Sequence, residues 1–244
     1  MGLAARLGNV FAAPSEVFEA IRTAPHSVAN WLTPTILFIL VGWIGGWLVL
    51  AQPSIQQRLN EMRDKMLEQQ YKRMPPEQAE KVRQFWENTG PIITKVQFAA
   101  APLMAGLFTP FWWGLIIWLV GAKGFKGGFS YMKAVEVAGL TNMIGVLDGV
   151  VRSLLIIGLN NLFAAPGLVL LVKDFDPQNP VHGLLGLANV MNIWWLAVAA
   201  CGVARLSRAS FAKAAAWVFG IWIAYMGFFI GIGAALQALG RMRK

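Results

Sequence analysis

The chain has 244 residues, of which 57% are hydrophobic and only 14% are charged, and its formal net charge is +9. Because an ordinary soluble domain has roughly 25% charged residues, this composition argues against a water-soluble protein. The basic residues stand in short clusters beside apolar stretches, which is typical of membrane topology and not of a nucleic-acid-binding face. We therefore expect an integral membrane protein that binds no nucleic acid.

Residues 1–30 are predicted to form an amphipathic N-terminal surface segment. Apolar side chains recur there at helical spacing with charged side chains between them; they are Leu3, Leu7, Val10, Phe11, Val17, Phe18 and Ile21. Such a helix can lie at the membrane surface or pack on the core of the protein itself. The sequence leaves both possibilities open.

The membrane-spanning helices are predicted from long apolar stretches. Residues 31–51 contain no charge, and at about 1.5 Å per residue their helix can cross the ~30 Å hydrocarbon core of a bilayer. Similar stretches lie at about 96–122, 131–159, 187–204 and 211–239. The predicted fold is therefore all-α, an integral membrane bundle of five transmembrane helices, the first at 31–51 and four more within 92–244.

Residues 52–91 form the most polar part of the chain and are predicted to be a charged helical hairpin outside the bilayer. Met74-Pro75-Pro76 should break it into two helices, and Asn88-Thr89-Gly90-Pro91 should end the second. The first helix has a narrow apolar stripe of Ile55, Leu59, Met62 and Met66. We predict that this stripe docks a partner, with packing inside the hairpin as the alternative.

An internal near-repeat relates residues 111–134 to residues 193–214. Each copy has a Trp pair, an apolar stretch, a basic turn without acidic residues, and a Ser-aromatic-x-Lys-Ala motif at Ser130–Ala134 or Ser210–Ala214. The motif predicts two helices that are N-capped by serine and enter the membrane from the same side, so that 92–244 forms two similar helix pairs. A sixth span would break this parity. We therefore interpret the apolar segment near 160–173, which contains Asn160, Asn161 and Pro166, as a re-entrant segment.

Orientation follows from the two basic turns. By the positive-inside rule they favour the cytoplasmic side, which places the N-terminus inside and the C-terminus outside. The total number of basic residues in the hairpin and the C-terminal tail opposes this orientation. We give the short turns more weight and expect a bacterial cytoplasmic (inner) membrane protein.

Besides Lys133 in its first turn, three charged residues fall within the third predicted span. Glu136 lies near its start, and Asp148 and Arg152 are four residues apart on one helix face. A charge buried in a bilayer costs roughly 2.5–3.5 kcal/mol on insertion scales, so these side chains need partners. They form either an ion or proton pathway or a salt bridge that faces the bundle.

Two further patterns concern helix packing and chemistry. Gly42/Gly46 and Gly227/Gly231 have the GxxxG spacing that permits close helix approach. Catalytic and nucleotide-binding motifs are absent from the sequence, and its single cysteine, Cys201, lies in an apolar span. We therefore predict no catalytic residue, no cofactor and no metal site, and expect that the protein is not an enzyme.

Several segments resemble the Yip family of Ypt/Rab-interacting membrane proteins in its bacterial form. They are NVFAAPSEVFEAIRTAP followed by WLTP near the N-terminus, MPPEQAEKVRQF in the hairpin, and FSYMKA and SFAKAAA after the two basic turns. The resemblance implies five transmembrane helices, a cytoplasmic N-terminus and an external C-terminus. Eukaryotic relatives act as membrane adaptors for small GTPases, and no binding residue transfers to this chain.

These features favour a non-enzymatic integral membrane scaffold or accessory subunit. Its expected partners are the lipid bilayer and other membrane proteins, in a larger complex or a homo-oligomer. The alternative is a small transporter or channel that uses the charged residues of the third span. A transporter requires a polar cavity that reaches Asp148, whereas a scaffold requires an apolar surface that a partner covers.

Overall fold

Five helices within the described part of the chain are long and apolar enough to cross a membrane. The computed structural model describes residues 1–72, 74–172, 175–176 and 179–242, with side chains described except at 69, 180, 187 and 234–242. The ends of two predicted ranges, residue 173 and residues 243–244, lie outside the described residues. The described secondary structure is helical and includes no strand, which confirms the predicted all-α bundle.

Ten α-helices follow one another in the described chain. They are α1 Leu3–Ala12, α2 Pro14–Thr23, α3 Ala29–Leu50, α4 Pro53–Tyr71, α5 Pro76–Trp118, α6 Tyr131–Thr141, α7 Met143–Leu159, α8 Pro180–Leu187, α9 Val190–Ser207 and α10 Phe211–Met242. The five candidate spans are α3, the end of α5 with the π-helical turn Leu119–Gly124, α6 with α7, α9, and α10 up to Gly233.

The N-terminal helices α1 and α2 pack on the core of the protein. Val10, Val17, Phe18 and Ile21 have no exposed surface and belong to the same apolar cluster as residues of α6 and α9. The ring of Phe11 also contacts that of Trp194 on α9, with ring centroids 5.9 Å apart. Of the two possibilities that the sequence left open, the structure therefore shows packing on the protein's own core.

The second hairpin helix does not end at residues 88–91, so this part of the prediction is wrong. Helix α5 continues through Gly90 and Pro91 into the second span and has 43 residues. The residue before a proline normally avoids the helical region because its Cβ meets the proline ring, but Gly90 has no Cβ. Thr94 Oγ1 also donates a hydrogen bond to the Gly90 carbonyl at 2.9 Å. The hairpin and the second span are therefore mechanically continuous.

The third span is interrupted near its middle, and the segment that follows it is not a long helix. Helix α6 ends at Thr141 and α7 begins at Met143, with Asn142 at the junction. After α7 the chain turns at Asn160, whose φ of 48° is left-handed. The helix that the described residues form between α7 and α8 is the short 3₁₀ helix Leu168–Leu171. None of the five candidate spans found in the described chain lies in this segment, as the repeat predicts. Re-entry of the segment into the membrane remains a prediction.

The two copies of the internal repeat lie against each other. The rings of Trp113 and Trp195, which are equivalent in the repeat, have centroids 4.6 Å apart. A Cβ on Gly127 in the first basic turn would lie 2.7 Å from the Cα of Ser207 in the second. Both turns therefore lie at the same end of the bundle, as the repeat predicts.

The serine caps of the repeat are also present. Ser130 Oγ accepts a hydrogen bond from the Lys133 amide at 3.4 Å, and Ser210 Oγ accepts one from the Lys213 amide at 3.5 Å. Serine at this position satisfies an otherwise unpaired amide of the first helical turn. The matching caps explain why α6 and α10 begin at equivalent points of the two copies.

When intact cells are treated with an impermeant thiol reagent, we expect cysteines placed in the two basic turns to remain unlabelled. Under the positive-inside rule these turns face the cytoplasm. The tested variants are Lys123→Cys and Arg208→Cys in a Cys201→Ala background, since both positions are exposed. Gln70→Cys in the hairpin should be labelled. Labelling of the turns but not of the hairpin would reverse the orientation.

Candidate functional site

Among the residues that the structure describes, the most deeply buried acid is Glu136 in α6, whose side chain has no exposed surface. Its Oε2 accepts a hydrogen bond of 2.5 Å from Asn30 Nδ2 in α3, and its Oε1 lies 3.3 Å from Lys133 Nζ. Asn30 Oδ1 in turn accepts a hydrogen bond of 3.1 Å from Arg6 Nη1 in α1. We call these four side chains the buried network.

Lys133 connects this network to α2. Its Nζ donates hydrogen bonds to the carbonyls of Ile21 at 2.9 Å and Ala24 at 2.8 Å. These carbonyls are at the C-terminal end of α2, where unpaired carbonyls and the helix dipole favour a cation. The buried network therefore fixes α1, α2, α3 and α6 relative to one another through contacts within the protein, although Arg6 Nε and Glu136 Oε1 are buried without a hydrogen-bond partner.

Asp148 and Arg152 in α7 form an ion pair. Arg152 Nη2 lies 3.2 Å from Asp148 Oδ2, and the side chains are 44% and 19% exposed for Arg152 and Asp148 respectively. The other carboxylate oxygen, Oδ1, is buried without a hydrogen-bond partner. The structure thus brings Asp148 and Arg152 together but places Glu136 in a separate set of contacts.

An aromatic cavity of about 630 Å³ is lined by residues of all five spans, including α10. Its lining includes Trp112, Trp113, Trp195, Trp222 and Tyr225, and no charged side chain is among its lining residues. Asn142 reaches this cavity from the interruption of the third span, and its buried Nδ2 has no hydrogen-bond partner. Its lining does not include Asp148, so it does not provide the polar pathway that a transporter would need.

A second cavity, the basic cavity, has a volume of about 560 Å³ and lies between α2 and the turn that joins α9 to α10. Its charged lining residues are Glu19, Arg22, Arg205 and Arg208. The hydrogen bond from Arg22 lowers the pKa of Glu19, and the positive charges of Arg22, Arg205 and Arg208 act in the same direction. The cavity therefore has three cationic groups and one acid that stays ionised at neutral pH.

The two predicted glycine pairs have different surroundings. A Cβ on Gly42 would lie 2.7 Å from the Cβ of Pro102, and one on Gly46 would overlap the ring of Phe98. The first pair therefore lets α3 and α5 approach closely. Gly227 and Gly231 in α10 have nothing within 4 Å of an added Cβ, so the second pair packs against no part of the described chain.

The predicted docking stripe of the hairpin is divided between buried and open positions. Ile55 has no exposed surface, whereas Leu59 is 37% and Met66 is 56% exposed. Met62 is half-buried and lines a cavity beside Asn160 and the loop that follows it. The stripe therefore contacts the protein at one edge and leaves Leu59 and Met66 accessible.

Sequence reasoning singled out Glu136 but missed its partners. Asn30 is 106 residues away in the chain, and no local pattern connects the two. The Lys133/Glu136 spacing of three residues was a usable signal, because such residues are neighbours on a helix. The basic cavity was also missed, because Arg22 and Arg208 line the same cavity only when α2 packs on α9. Among the described residues, no group of three His, Cys, Asp or Glu side chains could hold a metal ion.

Comparison with known proteins agrees with this architecture. The family model described as the Yip1 domain matches residues 8–233, which include all five spans and the buried network except Arg6. No curated protein and no solved structure matches the chain. Because the match extends over most of the sequence and the five apolar helices are present, this chain belongs to the Yip1 domain family of integral membrane proteins.

Proposed function

We propose that this protein is a non-enzymatic membrane scaffold or accessory subunit that binds other membrane proteins along its fifth span. The Yip1 family is not a known enzyme family, and the buried network holds its charged groups in contacts within the protein. The observation that supports binding is the contrast between the two glycine pairs. The first pair brings α3 against α5, whereas the second has the same spacing and no partner in the described chain.

The fifth span has little internal support along most of its length. Its fully buried residues, Ala214 and Val218, lie near its start, whereas Ile221 and Trp222 in its middle are only partly buried and line the aromatic cavity. Further along, Ile223 and Phe228 are exposed. Exposed apolar side chains are stable in lipid, so exposure alone identifies no partner. An open GxxxG face is a more specific sign of a partner helix, because small residues let the backbone of a second helix approach closely.

Gly220 extends this open face. It lies seven residues before Gly227, which is close to two helical turns, and nothing lies within 4 Å of its added Cβ. A stripe of three glycines therefore runs along one side of α10. A transmembrane helix of another membrane protein, or of a second copy of this chain, would pack on it.

We expect Gly227→Leu with Gly231→Leu to release a bound partner or to dissolve an oligomer without unfolding the protein. The added side chains fill the groove that a second helix would enter, and at both positions nothing in this chain lies within 4 Å of the added Cβ. Complex size is measured by chemical cross-linking in membranes and by gel filtration in mild detergent. Gly233→Leu is the matched control, because it is also open and lies about 120° from Gly227 and about 160° from Gly231 around the helix.

The same measurement tests the hairpin as a second docking element. Leu59→Lys with Met66→Lys places two charges on the accessible part of the stripe, where they would oppose an apolar contact. If both double variants leave every complex unchanged while Gly233→Leu behaves like the original protein, the scaffold proposal is wrong. Loss with the hairpin variant alone would move the partner surface outside the bilayer.

A further inference from the structure

The basic cavity lies beside the turn between the fourth and fifth spans. Arg208 ends α9 with a left-handed φ of 56°, and α10 begins three residues later at Phe211. This turn joins two helices that are each able to cross a membrane, so it must be near a bilayer surface. Phe211 is 52% exposed and lines the same cavity.

The charges in this cavity suit a phosphate group. Arg22 is paired with Glu19, and among the described residues neither Arg205 nor Arg208 forms an ion pair. The cavity thus has an excess of two positive charges. Guanidinium groups bind phosphate oxygens through paired hydrogen bonds, and basic pockets between transmembrane helices are known to hold anionic lipid headgroups.

The neighbouring basic turn adds to the positive field. Gly127 of the first turn packs on Ser207, next to Arg208, and the exposed Lys123 and Lys126 precede Gly127 in the same turn. A volume of about 560 Å³ falls within the range of small-molecule sites, roughly 300–1,000 Å³. From these contacts we infer that the basic cavity binds the phosphate-bearing headgroup of an anionic membrane lipid.

The test measures the affinity of the full-length protein in uncharged detergent for phosphatidylglycerol, with phosphatidylcholine and glycerol 3-phosphate as comparison ligands. Arg205→Gln with Arg208→Gln should weaken phosphatidylglycerol binding by about 30-fold, since each basic residue near an anionic surface contributes about fivefold. Lys65→Gln with Lys72→Gln is the control, because it removes the same charge from the hairpin and should leave the affinity unchanged.

Glu19→Gln should change the affinity for phosphatidylglycerol in the opposite direction. It removes the single acid of the cavity and releases Arg22, so phosphatidylglycerol should bind more tightly. Unfolding temperatures of all variants establish that the proteins remain folded. Equal affinity in the Arg205/Arg208 variant and the original protein would overturn the proposal. So would binding of glycerol 3-phosphate as tight as that of the lipid, which would indicate a soluble phosphate ligand, or displacement of lipid by an acidic peptide, which would indicate a protein partner.

Discussion

Replacing Lys133 with methionine should lower the free energy of unfolding by about 3–5 kcal/mol, the loss that is typical when one member of a buried ion pair is removed. Glu136 would keep its hydrogen bond to Asn30 but would lose the cation 3.3 Å from its Oε1. The carbonyls of Ile21 and Ala24 would lose their donor as well. The variant should therefore weaken both the α6 site and the attachment of α2.

Thermal unfolding in detergent, followed by tryptophan fluorescence, measures this effect. For a chain of this size the expected loss corresponds to a decrease of about 10 °C in unfolding temperature. Lys133→Met combined with Glu136→Gln should recover part of the loss, because the stranded carboxylate is then neutral.

Lys81→Met is the matched control for this substitution. Lys81 Nζ lies 2.8 Å from Glu77 Oε1, but both side chains are mostly exposed in the hairpin, where such pairs contribute about 0.3–0.5 kcal/mol. Similar losses for Lys133→Met and Lys81→Met would show that burial of Glu136 has no energetic consequence. If the Lys133→Met/Glu136→Gln double variant unfolds at a lower temperature than either single variant, the ion pair is not the main contact.

The five spans and the position of the basic turns could be predicted because their signals are local. About twenty apolar residues are enough to indicate a span, and the repeated motifs at Ser130 and Ser210 required both turns to lie at one end. The end of the hairpin could not be predicted by the same means. Gly-Pro usually ends a helix, and only the packing of α5 as one long helix shows that Gly90 and Pro91 continue it.

The candidate site was predictable only where its contacts are close in sequence. Asp148 and Arg152 are four residues apart and form the expected ion pair. The contact between Asn30 and Glu136 depends on how α3 packs against α6, which periodicity does not specify. The glycine pairs show the same limit: Gly42/Gly46 and Gly227/Gly231 have one spacing, but only the fold determines that the first is buried and the second is open.

The second large effect is expected at Gly139 in α6, where Gly139→Ala should prevent normal packing of the first and third spans. An added Cβ would overlap the Cα and Cβ of Trp31 and lie 3.2 Å from the carbonyl oxygen of Asn30. Backbone atoms cannot move aside as the end of a flexible side chain can, so α3 must shift away from α6.

This shift would also disturb the buried network, because Asn30 donates the hydrogen bond to Glu136 from the same point of α3. Overpacking of a core costs about 1–3 kcal/mol, and the lost hydrogen bond to a charged group adds roughly 1.5–3 kcal/mol. We therefore expect Gly139→Ala to lower the unfolding temperature at least as much as Lys133→Met.

Because both variants act on Glu136, the loss of stability in the combined variant should be smaller than the sum of the single losses. Gly158→Ala is the control, since nothing lies within 4 Å of an added Cβ there and alanine is favoured over glycine within a helix. An unchanged unfolding temperature for Gly139→Ala, or strictly additive losses with Lys133→Met, would show that the close approach of α3 and α6 does not support the buried network.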